Sequence, residues 1–233
     1  DTIVTGGVEA CITFGLMTAF CRMGTVTTKW NHEPARASRP FNADRDGFVL
    51  GEGAWVLIFE ELEHAVKRGA QIYAEVVGYA STCDAYHRVQ IAPTGHDAAR
   101  AMRMAVEGAG LTTDEIDYLN LHGTATRIND RTESAAVRIA FGDRAREIPA
   151  SSTKSMVGHP QGASGAAGVV ATLMAMKHNY APPTINVENP DGECDLDYVA
   201  NRGRDMRIDT ALCNCIAFGS KNSALVFKRY KDS

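Results

Sequence analysis

Apolar residues recur along the chain in two rhythms. From Glu9 to Met23, Cys11, Phe14, Met17, Thr18 and Cys21 fall near helical spacing, and Ala98, Met102, Ala105, Val106 and Ala109 stripe one face of Thr94 to Ala109. Both stretches predict helices. Gly51 to Glu60 passes from a turn into a nearly continuous apolar run, the pattern of a strand buried on both faces. Strand-like runs also occur at Thr2 to Val4, Ile72 to Ala80, Tyr118 to Leu121, Asp195 to Val199, Ala211 to Cys215 and Ala224 to Lys228. Further helices are expected over Glu61 to Arg68, closed by Gly69, and over Asn129 to Phe141. The segment Gln161 to Met176 is so rich in Gly and Ala that a helix there is expected to be buried, with its N-terminus turned to a cleft. Strand, loop, helix and strand follow one another repeatedly, which predicts an α/β fold with right-handed crossovers and a largely parallel sheet.

Composition narrows the class. The 233 residues are 45% hydrophobic and 22% charged with a formal net charge of -4, which suits a globular protein with a substantial core. The 24 Lys and Arg residues are scattered, so no nucleic-acid footprint is expected. Cys11, Cys21, Cys83, Cys194, Cys213 and Cys215 form no metal-ligand spacing, and they point to a reducing, cytoplasmic setting without a metal. Cys11 reads as a small buried hydrophobe rather than a nucleophile. No apolar run reaches the span of about 18 residues that a membrane helix needs.

Two histidines stand out against this background. His122 follows the run Tyr118 to Leu121 and opens Gly123-Thr124-Ala125-Thr126, and His159 follows Lys154 in a segment dense in Ser, Gly and Ala. Each stands where a chain delivers a side chain into a cleft, and two neutral imidazoles there can donate hydrogen bonds to one developing oxyanion. Either histidine alone would more simply be a satisfied core or turn residue.

The blocks His122-Gly123-Thr124-Ala125-Thr126, Asn129-Asp130, Glu133, Ser152-Thr153-Lys154-Ser155-Met156 and Gly158-His159 resemble the C-terminal half of a β-ketoacyl-acyl-carrier-protein synthase of the KAS II type. Matching blocks run nearly end to end, among them Arg39-Pro40-Phe41-Asn42, Arg45 to Gly53, Asp84-Ala85-Tyr86-His87, Pro182 to Asn186, Cys194 to Val199 and Phe218-Gly219. The resemblance implies a thiolase-like layered α-β-α-β-α architecture, with residues 1–70 ending the first half and residues 71–233 forming the second. It implies a nucleophilic cysteine upstream of Asp1, so that the chain alone lacks activity. It further implies decarboxylative condensation of acyl and malonyl thioesters, the latter brought on the phosphopantetheine of an acyl carrier protein, with no other cofactor and a full-length homodimer.

The same resemblance gives roles to individual residues. His122 and His159 would hold the enolate oxygen, with Lys154 orienting them and pairing with Glu133, and Asp130 supporting the site from behind. Phe218 would border the acyl pocket, and Thr124, Thr126 and Gly219 would bind the thioester and its arm. The sequence departs from the family at Val89, Ala217, Ser220 and Lys221, which implies altered contacts to the arm and a less mobile loop around Phe218. Those departures would also suit a non-catalytic partner subunit of the chain-length-factor type, whereas His122, Lys154 and His159 favour an enzyme. His87 is expected to be structural.

Overall fold

The computed structural model describes residues 1–231. In chain order the elements are β1 (Thr2–Glu9), α1 (Phe14–Met23), β2 (Gly53–Glu60), α2 (Leu62–Lys67), β3 (Glu75–Cys83), α3 (His96–Gly108), β4 (Tyr118–Asn120) and α4 (Arg127–Phe141). They continue with β5 (Ala150–Ser151), α5 (Lys154–Val157), α6 (Ser164–His178), β6 (Tyr180–Ala181), β7 (Arg204–Asp205), β8 (Thr210–Ala217) and β9 (Lys221–Lys228).

The organising sheet has five strands in the order β3-β9-β8-β4-β5. At its centre β4 runs parallel to β5 and β8, but β9 is antiparallel to both β8 and β3. The sheet is therefore mixed, not largely parallel. The reason is local: β8 and β9 are joined by the three residues Phe218, Gly219 and Ser220, and a connection that short can only reverse the chain.

Successive side chains of β4 enter different layers, as the pleat requires. Leu119 joins Ala98, Met102, Ala105 and Val137 from α3 and α4 on one face, whereas Tyr118 packs with Val169, Ala175 and Met176 of α6 on the other. The α6 helix lies close against the sheet because it carries glycine there. A Cβ on Gly168 would stand 3.0 Å from the Cys213 sulfur and 3.2 Å from the Asn120 side chain. The expected burial of this helix thus follows from its small residues.

Three sequence expectations change. Among the described residues the β2 strand is not buried on both faces: it pairs there only with β1, antiparallel from Thr2 opposite Glu60 to Glu9 opposite Gly53, and Val56 and Ile58 are exposed. The first helix starts at Phe14 rather than Glu9, because β1 runs on to Glu9 and the Thr13 hydroxyl accepts the Leu16 N–H as its cap. Asp195 to Val199 forms no strand. There the Asp197 carboxylate accepts the Val199 N–H and Val199 has φ 49, so the backbone turns instead of extending. Cys11 is buried against Val26, Phe48 and Leu50, as a small hydrophobe would be.

Candidate active site

The parallel strands β4 and β5 end side by side, and the chain leaving each carries a candidate residue. One residue past β4 and Leu121 stands His122, and two residues past β5 and Ser152 stands Lys154 at the start of α5. Gly158, with φ 74, then turns the chain so that His159 lies beside the segment 49–51. The His159 N–H donates to the Val49 carbonyl at 2.7 Å and its carbonyl accepts the Gly51 N–H at 3.1 Å. A Cβ on Gly51 would meet the Val157 carbonyl at 2.4 Å, so only glycine lets this approach happen.

The two imidazoles meet edge to face, with ring centroids 5.3 Å apart and planes inclined by 87°. Phe48 stands edge-on to His159 at 5.2 Å. Both histidines are buried, at 6% and 8% exposure. Burial, reinforced by the nearby Lys154 charge, pushes His122 well below its ordinary pKa and His159 down to about 3. Near neutrality both rings are uncharged, and an uncharged imidazole offers one N–H. The Cys215 sulfur lies 3.7 Å from His122 Nδ1. If the thiol donates there, the ring proton is left on Nε2.

Glu133 is fully buried on α4 and reaches under the His122 loop. Its carboxylate accepts the N–H groups of His122 at 2.7 Å and Gly123 at 2.8 Å, and the Asn214 amide at 2.6 Å. Burial pushes this carboxyl up, while those three donors pull it the other way. No hydrogen bond or ion pair joins Glu133 to Lys154 among the described residues, so the expected direct pair is replaced by a grip on the backbone. Both oxygens of the carboxylate already accept N–H donors. Lys154 is buried at 8% exposure, and burial lowers its pKa, while Cys215 and Glu133 lead the charges that raise it.

Asp130 lies further back. It accepts the Phe41 N–H at 2.8 Å and pairs with Arg45 at 3.1 Å, both Asp130 and Arg45 being fully buried. Arg45 also reaches Asp191 at 2.8 Å and the Thr126 and Arg127 carbonyls at 3.3 and 3.1 Å. Thr126 caps α4 through the Asn129 N–H, and its hydroxyl lies 3.0 Å from that of Thr124.

Part of this set borders one cavity of about 770 Å³, whereas Lys154, Glu133, Asp130 and Arg45 lie behind its wall. Its wall includes His122, His159, Thr124, Thr126, Cys215 and Phe218, with Phe48, Ile91, Ile128 and Ile216 supplying apolar surface. The site can therefore hold a largely apolar chain against two neutral N–H donors. Gly219 is not part of this wall, and its N–H donates to the Arg88 carbonyl at 2.9 Å. The His87 Nδ1 accepts the N–H groups of Val89 and Gln90, both at 3.1 Å, which agrees with a structural part. Among the described residues no group of three or more His, Cys, Asp or Glu is placed to hold a metal ion. Sequence reasoning passed over Gly51, Phe48, Asn214 and Cys215; for the last two the alternation of a strand one residue from the site was the available signal.

Comparison with known proteins bears on the same residues. Residues 1–65 match the model for the Beta-ketoacyl synthase, N-terminal domain, and residues 73–188 that for the Beta-ketoacyl synthase, C-terminal domain. The chain is 49% identical over 229 residues to a 3-oxoacyl-[acyl-carrier-protein] synthase 2 of Synechocystis sp., covering 98% of this chain and 55% of that protein. Against the protein of the same name from Coxiella burnetii the identity is 45% over 232 residues, with 100% and 56% covered. The chain spans about half the length of these curated relatives. Among solved structures, a type II PKS acyl-carrier protein in complex with its ketosynthase bound to the hexaketide matches with TM-score 0.96 at 37% identity, over 99% of this chain and 56% of that one. A Beta-ketoacyl synthase from Burkholderia phymatum matches with TM-score 0.92 at 40% identity, over 99% and 55%. The layering is that of these thiolase-like ketosynthases.

Proposed function

The chain belongs to the β-ketoacyl synthase family, and on that footing we propose that it is the C-terminal part of a 3-oxoacyl-[acyl-carrier-protein] synthase, an acyltransferase of fatty acid or polyketide synthesis. On this reading residues 1–70 finish the first half of the thiolase-like fold and residues 71–233 make the second. The acyl group waits on a cysteine upstream of Asp1, and a malonyl thioester arrives on the pantetheine of an acyl carrier protein. The full protein works in the cytoplasm as a homodimer and uses no further cofactor.

The chemistry begins with cleavage of the malonyl carbon–carbon bond. Carbon dioxide leaves, and the electron pair left behind spreads onto the thioester oxygen as an enolate. His122 and His159 donate N–H bonds to that oxygen, in a buried site where such bonds count for more than in water. The enolate carbon then attacks the acyl thioester, the cysteine thiolate departs, and a 3-oxoacyl thioester remains. The charge of Lys154 adds to the burial that keeps the two rings neutral. Phe218 borders the acyl chain, and Thr124 and Thr126 present hydroxyls to the arm, with Gly219 shaping the turn beside them. Glu133 fixes the His122 loop, and Asp130 fixes the segment around Phe41.

One observation carries this reading: two buried, neutral imidazoles 5.3 Å apart on the wall of one cavity. A non-catalytic partner subunit has no use for that arrangement. The test is decarboxylation of malonyl thioester on acyl carrier protein by the full-length protein, followed by chain extension. The 233-residue chain by itself should extend nothing; stoichiometric acylation of Cys11 or Cys215 followed by extension would refute an upstream nucleophile.

A further inference from the structure

Ser220 is the last residue of the turn between β8 and β9, with φ 58 and only 1% exposure. Non-glycine residues seldom take that left-handed conformation, so something must hold it. The hydroxyl donates to the His87 carbonyl at 2.7 Å, stands 3.3 Å from the Gln90 carbonyl, and accepts the His87 N–H at 3.3 Å. The turn backbone adds two more bonds to the same stretch, from the Gly219 N–H to the Arg88 carbonyl at 2.9 Å and from the Asp84 N–H to the Ser220 carbonyl at 2.8 Å.

The stretch so gripped is closed on itself. His87 Nδ1 accepts two backbone N–H groups, and the Asp84 carboxylate accepts the Ala92 N–H at 2.9 Å and the Asn222 amide at 2.6 Å. Residues 84–92 thus form a strap. Strap and turn both border the cavity, the strap through Val89 and Ile91 and the turn through Phe218. Phe218 is 45% exposed, so packing alone does not hold its turn in place.

We propose that Ser220 is a specificity-determining positioning residue: it fastens the turn carrying Phe218 to the strap, so that two walls of the cavity act as one unit and limit the girth of the acyl chain admitted. The identity of that occupant rests on the condensing-enzyme reading above; the fastening itself does not. A glycine at this position would keep the backbone bonds but lose the hydroxyl that spans to His87 and Gln90.

The test uses the full-length protein with Ser220→Ala and Ser220→Gly. The alanine removes the hydroxyl and keeps a Cβ, and the glycine also relieves the left-handed backbone. Amide hydrogen exchange, followed by mass spectrometry, should rise at 87–91 and 218–221 together, by roughly 3- to 10-fold, the range produced by losing one neutral hydrogen bond. The ratio of kcat/KM for a branched acyl thioester over that for a straight one of equal length should rise by a similar factor, with malonyl decarboxylation unchanged. Exchange confined to the turn, with an unaltered substrate ratio, overturns the proposal. Should the wild-type protein extend no acyl thioester, the functional reading fails; joint exchange of strap and turn would still establish the fastening, and separate exchange would remove it.

Discussion

His122 and His159 face each other edge to face at 5.3 Å, although one follows β4 and the other follows α5, and they are held by different backbone partners. Because each donates to charge that exists only during enolate formation, His122→Ala and His159→Ala in the full-length protein should each slow malonyl decarboxylation by about 100- to 1000-fold. Transfer of the acyl group onto the upstream cysteine should remain measurable. Rapid-quench measurement of the two half-reactions checks this, and decarboxylation at wild-type rate in either variant returns that ring to a structural part.

Acid sensitivity follows from the same burial. Burial in the folded protein holds His159 at about 3, against an ordinary 6.5, so between those values an unfolded chain binds a proton that the folded one refuses. This contribution to stability is intact above about pH 6.5 and is lost as the pH falls toward 3. The slope for one such group is about 1.4 kcal/mol per pH unit. Urea unfolding of wild type and His159→Asn between pH 7 and pH 4 should therefore converge as the pH drops. Two curves that stay parallel would show that the ring is not held neutral.

Glu133 offers a second contrast. Its carboxylate grips His122, Gly123 and Asn214, so Glu133→Gln turns an amide donor toward N–H groups and should cost roughly 2 to 4 kcal/mol. In double-mutant cycles Glu133 should couple more strongly to Asn214 than to Lys154, by at least about 0.5 kcal/mol. Equal coupling to both would restore the direct carboxylate–ammonium pairing that the sequence suggests.

Arg45 is the charge on which the back of the site depends. Arg45 pairs with both Asp130 and Asp191, and Asp191 keeps Arg131 as a second partner, so Arg45→Met leaves the buried Asp130 without a cation and should destabilise the protein by about 3 to 5 kcal/mol. Adding Asp130→Asn to that variant should recover part of the loss, as chemical denaturation will read. Simple addition of the two losses would mean that the pair contributes nothing.

The sequence made the site easier to read than the sheet. His122 stands just past the apolar run Tyr118 to Leu121, and a strand end followed by small residues is visible in one dimension. Strand direction is not: β9 reads like any apolar strand until the length of its connection to β8 is known. The run at β2 looked doubly buried because Trp55, Val56, Leu57 and Ile58 are all apolar, yet burial depends on what packs outside the ribbon, and that is not written in the run. The family resemblance implied a Glu133–Lys154 pair between two legible charges, whereas the backbone N–H groups that take the carboxylate have no letter of their own.

The pairing of Glu75 with Lys228 sets the timetable by which this chain can be made. Among the described residues the β3 strand touches the main sheet only through β9, so on the ribosome it waits without a partner until Lys221 to Lys228 have been synthesised. Arrival of β9, rather than formation of the histidine site, is then the step that commits the sheet to its final order. A nonsense mutation shortly before Lys221 would produce a chain that carries every residue of the site and cannot close around it.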